Sequence, residues 1–238
     1  MALAIVSERI REKEKNALEA EGFTVLSCPS SPLLPPPIAH HPDAIMALLG
    51  KTLYCYEGYY RENAAFFKSL IAACPHLSIQ PLKDAQTNFY PGDCAYNLLC
   101  IGRHAFYNPK GLSSALSKAC EVAGFFTHSV HQGYAACTVC ALGDQHAITA
   151  DSGMAKALMR EGFSVLQIAE GGISLPPYES GFIGGASGCY KKKVCFFGDI
   201  TKHPSHKEIA RFLSEAGFTP VSLSQEPLCD LGSILFIE

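Results

Sequence analysis

A chain of 238 residues is long enough to bury a substantial core, as one large domain or two small ones. A formal net charge of −3 argues against a nucleic-acid partner held by electrostatics. The eleven cysteines are odd in number and several lie in apolar runs (Cys55, Cys94, Cys100, Cys195), which fits buried free thiols in a reducing compartment better than a disulfide framework.

The chain opens on "LAIVS", a strand, and charges from Glu8 onward cut that run too short for a signal-peptide core. No apolar run approaches the ~20 residues of a membrane span, so a cytoplasmic protein with no membrane partner is expected. A helix is predicted over 8–21 and a strand at "FTVLSC". Residues 29–42, "PSSPLLPPPIAHHP", are too rich in proline for helix or sheet interior and read as a stiff loop bordering a central face. Next come a hairpin, "DAIMALLGKTLYCYEG", a helix over 59–73, and a strand in "CPHLSIQPL". The hairpins "DCAYNLLCIGRHAFYN", "CTVCALGDQHAITADS" and "GGASGCYKKKVCFFGD" follow, the last with Lys191, Lys192 and Lys193 at its solvated tip. Each precedes an amphipathic stretch. The chain ends on "CDLGSILFIE", a strand with no helix after it.

A repeat underlies this order. Gly-Phe closes four amphipathic stretches, at Gly22-Phe23, Gly124-Phe125, Gly162-Phe163 and Gly217-Phe218, where glycine takes the left-handed helix stop and phenylalanine begins a strand. In the fifth stretch Pro75 is the stop. Strand starts near Asp43, Asp93, Cys137 and Gly184 are 50, 44 and 47 residues apart, and a further 46 lead to Asp230. The C-terminal strand lacks a helix and the N-terminal half-module lacks a first strand. The expected architecture is therefore α/β: five ββαβ modules in a ring, with the last strand closing the first module and removing exposed sheet edges. The modules are 230–238 plus 1–28, 41–82, 92–131, 133–169 and 181–224, in a single domain over 1–238. A non-repeating α/β fold, perhaps doubly wound, is the alternative; it leaves the hairpin before every helix unexplained.

Five such modules resemble the guanidine-modifying (pentein) superfamily of α/β-propellers, which includes arginine deiminases, amidinotransferases and dimethylarginine dimethylaminohydrolases. "HPDAI", "YPGDCAYN", "QGYAACT", "TADSGMAKAL", "GFIGGASG" and "DLGSI" resemble, more specifically, an uncharacterised bacterial family of that fold, over nearly the whole chain. The enzymes' "GGD" turn, whose acid binds the substrate guanidinium, is similar to "PGDCAYN", which makes Asp93 the equivalent acid; Asp43 stands similarly in the preceding module. Where the enzymes carry a catalytic histidine this chain has Ala135 or Ala136. Where they carry the nucleophilic cysteine it has Leu231-Gly232-Ser233, with Cys229 three residues off.

Module starts converge on one end of such a ring, and a shared cavity there is a favoured ligand site. The residues gathered are His41, Asp43, Asp93, Asn97, Tyr134, Cys137, Thr138, Ser187, Asp230 and Ser233. Carboxylates near one axis repel unless a cation sits among them, and a guanidinium pairs bidentately with carboxylate. Asp43, Asp93, Asn97, Thr138, Ser187, Asp230 and Ser233 are therefore candidates to bind substrate, with Cys137 as nucleophile and His41 as acid/base. The alternatives are that Asp93 and Asp43 are turn residues, Asp230 a strand-end charge in solvent, His41 a solvated loop histidine and Cys137 an inert core thiol.

Cys137 and Cys140 form a CxxC without a second pair, weak support for zinc. "GFIGGASG" lacks the Lys-[Ser/Thr] of a phosphate loop; its glycines fit close backbone approach to a ligand or neighbouring module. No cofactor is expected, and a metal among the acids stays open. The partner expected is a small cationic or amino-acid-like ligand, and a homo-oligomer is compatible. Two functions remain: a hydrolase or amidinotransferase with a differently placed cysteine, or a catalytically silent ring that binds a ligand or protein.

Overall fold

The structure, a computed structural model, describes residues 2–238. In chain order the elements begin with β1 (Leu3–Ser7), α1 (Glu12–Ala20) and β2 (Thr24–Cys28), then α2 (Pro42–Ile45), β3 (Met46–Leu49), β4 (Thr52–Tyr56), α3 (Glu57–Glu62), α4 (Ala64–Ala73) and β5 (Ser78–Leu82). A third set comprises β6 (Leu99–Ile101), β7 (His104–Tyr107), α5 (Ser114–Val122) and β8 (Phe126–Ser129). The fourth is α6 (Ala135–Thr138), β9 (Val139–Leu142), β10 (His146–Thr149), α7 (Ser152–Arg160) and β11 (Ser164–Gln167), followed by a short β12 (Ile173–Ser174). The rest are β13 (Ser187–Tyr190), β14 (Lys193–Phe196), α8 (His206–Glu215), β15 (Thr219–Ser222), β16 (Leu228–Cys229) and β17 (Leu235–Ile237).

Five three-stranded sheets result, ordered β17-β1-β2, β3-β4-β5, β6-β7-β8, β9-β10-β11 and β13-β14-β15. In each, the middle strand runs antiparallel to the first and parallel to the third. A hairpin suffices for the first pairing, whereas the parallel one needs the crossover helix. The last strand does close the first module: Leu3 pairs with Ile237 and Ile5 with Leu235. The extra strands β12 and β16 pair in parallel.

Burial orders each module radially. Middle strands are almost wholly buried, while the third strands face solvent along much of their length. First strands meet at the axis: Met46, Leu99, Val139, Ser187 and Leu235, one from each sheet, line one cavity of about 240 Å³. This is the α/β-propeller arrangement. Side chains such as Phe106 and Phe196 are fully buried between sheet and helix, each worth roughly 1.5–3 kcal/mol.

Local sequence explains the helix ends. Ser113 Oγ accepts from Leu116 N at 3.1 Å to cap α5, and Asp151 Oδ1 accepts from Met154 N at 2.8 Å to cap α7. All four Gly-Phe glycines have positive φ: 92° at Gly22, 73° at Gly124, 86° at Gly162 and 73° at Gly217. The Lys191–Lys193 segment turns the β13–β14 hairpin, as its sequence implies.

Three details differ from expectation. Asp43, Asp93 and Cys137 do not start strands: they sit on α2, on a 3-10 turn (Gly92–Cys94) and on α6, and the strands begin two to six residues later. Pro42 at the first helical position of α2 shows why, since its fixed φ favours a helical turn over immediate extension. The 59–73 helix is two helices, broken at Asn63 (φ −110°, ψ 34°). Finally, α1 begins at Glu12 rather than at residue 8.

Candidate functional site

The one-turn helices α2 and α6 carry chemistry to the axis. Asp43 sits on α2, His41 immediately precedes that helix, and Cys137 sits on α6. Asp230 comes from the segment between β16 and β17. That segment reaches His41 because position 232 has no side chain: a Cβ there would lie 2.6 Å from His41 Cα. The glycines of "GFIGGASG" act similarly. A Cβ at Gly184 would meet the carbonyl oxygens of Ala136 and Val139 at 2.5 Å, and one at Gly185 would meet Asp230 Oδ1 at 2.0 Å. The sequence reading of close approach to a neighbouring module fits this packing.

One donor atom each from His41, Asp43 and Cys137 lies within 4.8 Å of the others. His41, Asp43 and Asp230 are each 1–2% exposed, and Cys137 is 3% exposed. Ser233 Oγ donates to Asp43 Oδ2 at 2.6 Å, which leaves Asp43 Oδ1 buried without a partner. Asn97 Nδ2 donates to Cys137 Sγ at 3.0 Å and to the carbonyl of Asp43 at 3.1 Å, while Asn97 Oδ1 accepts from Ala136 N at 2.7 Å. Asp230 accepts from Phe182 N at 2.8 Å and Gly232 N at 3.1 Å. His41 Nδ1 stands 3.6 Å from Asp230 Oδ1, and neither ring nitrogen makes a hydrogen bond.

Electrostatics disfavour a resting thiolate. Burial foremost, then the charges of Asp43 and Asp230, push the Cys137 thiol well above its ordinary range. The expected lowering of this thiol by a neighbouring cation is absent from that balance. Burial likewise raises the Asp230 carboxyl; His41 opposes the rise and Asp43 adds to it.

His41, Cys137 and Asp230 form the polar part of a cavity of about 260 Å³ whose other walls are Ile38, Tyr90, Tyr134, Leu175, Tyr178, Ser180 and Phe182. Tyr90 and Tyr178 are more than half exposed and mark its mouth. Asp43 and Ser233 instead line the 240 Å³ cavity on the strand side, so the buried cluster stands between the two.

The remaining predicted residues have other surroundings. Asp93 lines neither cavity: its Oδ2 accepts from Tyr134 Oη at 2.6 Å, and its Oδ1 from Cys94 Sγ at 3.3 Å. Thr138 Oγ1 donates to the Ala135 carbonyl at 3.0 Å, within its own helical turn. Ser187 donates to the Ile183 carbonyl at 2.7 Å and lies on the strand side. Cys140, the partner in CxxC, is on β9 and belongs to that side too. Cys229 lies on β16, where it pairs with Ser174 of β12, and its thiol is raised by burial. Sequence reasoning missed Tyr90, Leu175, Tyr178 and Phe182. The available signals were the aromatic pair Phe89-Tyr90 before the Pro-Gly turn and the long connection from β11 to β13.

Five ββαβ sheets around an axis, with an acidic cluster at the turn end, define a pentein-type α/β-propeller. The chain belongs to the family described as "Family of unknown function (DUF6873)", which matches residues 5–235. No curated protein matches it. Among solved structures it is similar to dimethylarginine dimethylaminohydrolase from Pseudomonas aeruginosa complexed with citrulline (9% identity, TM-score 0.56, covering 94% of this chain and 91% of that one). It is also similar to SxtG, an amidinotransferase from Microseira wollei in the saxitoxin biosynthetic pathway (13%, 0.56, 94% and 88%). A third is the N-terminal domain of ArgZ, an arginine dihydrolase from cyanobacteria, bound to substrate (12%, 0.53, 93% and 90%). Identities this low establish the shared fold. Among the described residues no helix is long and apolar enough to cross a membrane.

Proposed function

We propose that the 260 Å³ cavity binds a small cation of the guanidino, amidino or amino-acid-like class. Its charged head sits against Asp230, with Asp43 behind the cavity wall on the strand side, and its stem lies between Tyr90, Tyr134 and Phe182. One observation carries the reading: two buried carboxylates share the axis, and among the described residues neither is ion-paired with lysine or arginine. A planar cation in the cavity pairs with Asp230 and packs on the cavity walls, and its charge offsets that of Asp43 behind it. The similar solved structures include proteins with citrulline or substrate bound, which adds support.

Catalysis would run through Cys137. His41 takes the Cys137 thiol proton as sulfur adds to the guanidinium carbon, returns that proton to the departing amine as the C–N bond breaks, and water (hydrolase) or an acceptor amine (transferase) then displaces sulfur, which regains a proton. A catalytically silent binder is the second reading. The raised Cys137 thiol favours it, together with alanine at 135 and 136 where the enzymes place a histidine.

A thermal-shift panel of arginine, agmatine, methylated arginines, creatine, ornithine and citrulline tests binding, run with a chelator on wild type and Asp230→Asn. A ligand at 100 times its Kd should stabilise wild type by ~2.7 kcal/mol and the variant far less. No response to any compound sinks the guanidino reading. Urea, ammonia or a transferred amidino group from the responding compound, lost in Cys137→Ser, separates the enzyme from the silent binder.

A further inference from the structure

We infer that His41, Asp43 and Cys137 form a three-ligand site for a divalent, zinc-type ion, with a fourth position open to the 260 Å³ cavity. The donors are imidazole nitrogen, carboxylate oxygen and sulfur, the set that zinc takes. Tetrahedral zinc, with bonds of about 2.0–2.3 Å, separates its ligand atoms by roughly 3.3–3.8 Å. Here the three donors already lie within 4.8 Å of one another, roughly 1–1.5 Å wider than that spacing at most.

Acids and a cysteine in proximity are not by themselves a site; the outer partners and the unpartnered atoms make this one. Two of the ligands are held by neighbours, and Asp43 and His41 keep unpartnered atoms. Ser233 fixes Asp43 through Oδ2, leaving Oδ1 unpartnered. Asn97 donates an N–H to Cys137 Sγ, a bond that strengthens when the sulfur is a thiolate. Asp230 faces His41 Nδ1 at 3.6 Å, the carboxylate–histidine arrangement that orients metal-binding imidazoles. His41 is 1% exposed with neither nitrogen in a hydrogen bond, a costly state that a metal relieves. On binding, the ion replaces the thiol proton, which passes to buffer, and a sulfur–metal bond forms.

Three protein ligands with an open position beside a cavity is the layout of a catalytic rather than a structural zinc site. The pairing Cys137–Cys140 that the CxxC spacing suggests is not the one assembled, because Cys140 lies on the strand side. This inference shares residues with the proposed ligand pocket and does not rest on it.

The experiment is titration of chelator-stripped protein, in a non-thiol reductant, with Zn(II) against a chromophoric competitor, and with Co(II) read by absorbance. One equivalent per chain and a thiolate-to-cobalt charge-transfer band are expected. Cys137→Ser should abolish the band, Asp43→Asn should weaken binding more than tenfold, and Cys140→Ser should change neither. Ser233→Ala, which removes an outer partner, should weaken binding about 10- to 100-fold. Absence of the band in wild type overturns the site without reliance on any variant, as does equal zinc binding by wild type and Cys137→Ser. No organic ligand enters the titration, so metal binding with a silent guanidino panel sinks only the ligand reading, and the reverse result sinks only the metal.

Discussion

Two clusters of histidine and acid differ in how their polar atoms are satisfied. On the outer face of the third module, His104 of β7 and His128 of β8 stack at 5.0 Å with ring planes 7° apart. Their nitrogens meet at 2.9 Å (His104 Nδ1 to His128 Nε2), and His128 Nδ1 lies 3.5 Å from Glu161 Oε1. That cluster is partly exposed and supplies its own partners. His41, Asp43 and Cys137 are buried, and three of the atoms they present make no hydrogen bond. Water can complete the first cluster; the second needs something brought to it. Proximity of ligating side chains is therefore a weaker indicator of a binding site than proximity combined with unsatisfied burial.

The contrast breaks most completely at Gly184. A Cβ there meets three backbone carbonyl oxygens at 2.5–2.6 Å, including that of Cys137, so backbone must move. Gly184→Ala should lose about 3 kcal/mol of stability in urea unfolding and should also abolish Co(II) binding. A stable variant that still binds the metal would show that α6 can shift without disturbing the cluster. A smaller effect is expected at Tyr134, whose hydroxyl satisfies Asp93, the module-start acid that has its own partners. Tyr134→Phe should cost about 2 kcal/mol by leaving a buried carboxylate short of a donor. The midpoint should fall with the urea m-value unchanged.

The smallest effect belongs to the outer cluster. Burial first, and His104 in addition, hold the His128 imidazole below its usual range, against the opposing pull of Glu161. A folded-state pKa below the unfolded value means that the unfolded chain takes up the proton first. Stability from this group is thus present above about pH 6.5 and is lost as pH falls through the lowered folded value. His128→Gln should flatten the pH dependence of stability in that window and leave metal stoichiometry unchanged. Ring-proton NMR showing His128 titrating above 6.5 would reverse the sign.

The sequence by itself determined the module plan, because its signals are local. A Gly-Phe stop forces a left-handed residue after each helix, and a turn between two apolar runs makes a hairpin whatever surrounds it. The unpaired strand at one end and the missing strand at the other are countable from the chain, and their pairing followed. The sequence also brought His41, Asp43, Cys137, Asp230, Asn97 and Ser233 into one set. It could not rank the acids. Asp93, Asp43 and Asp230 look alike as module-start carboxylates, and their difference is set by partners far along the chain. Tyr134 lies 41 residues from Asp93, and Ser233 lies 190 from Asp43. Which oxygen is satisfied depends on contacts of a few ångströms made only once the ring has closed. Tertiary structure decided that both oxygens of Asp93 are partnered and that Asp43 Oδ1 and the His41 ring are not, because burial removes the water that would otherwise make the acids equivalent.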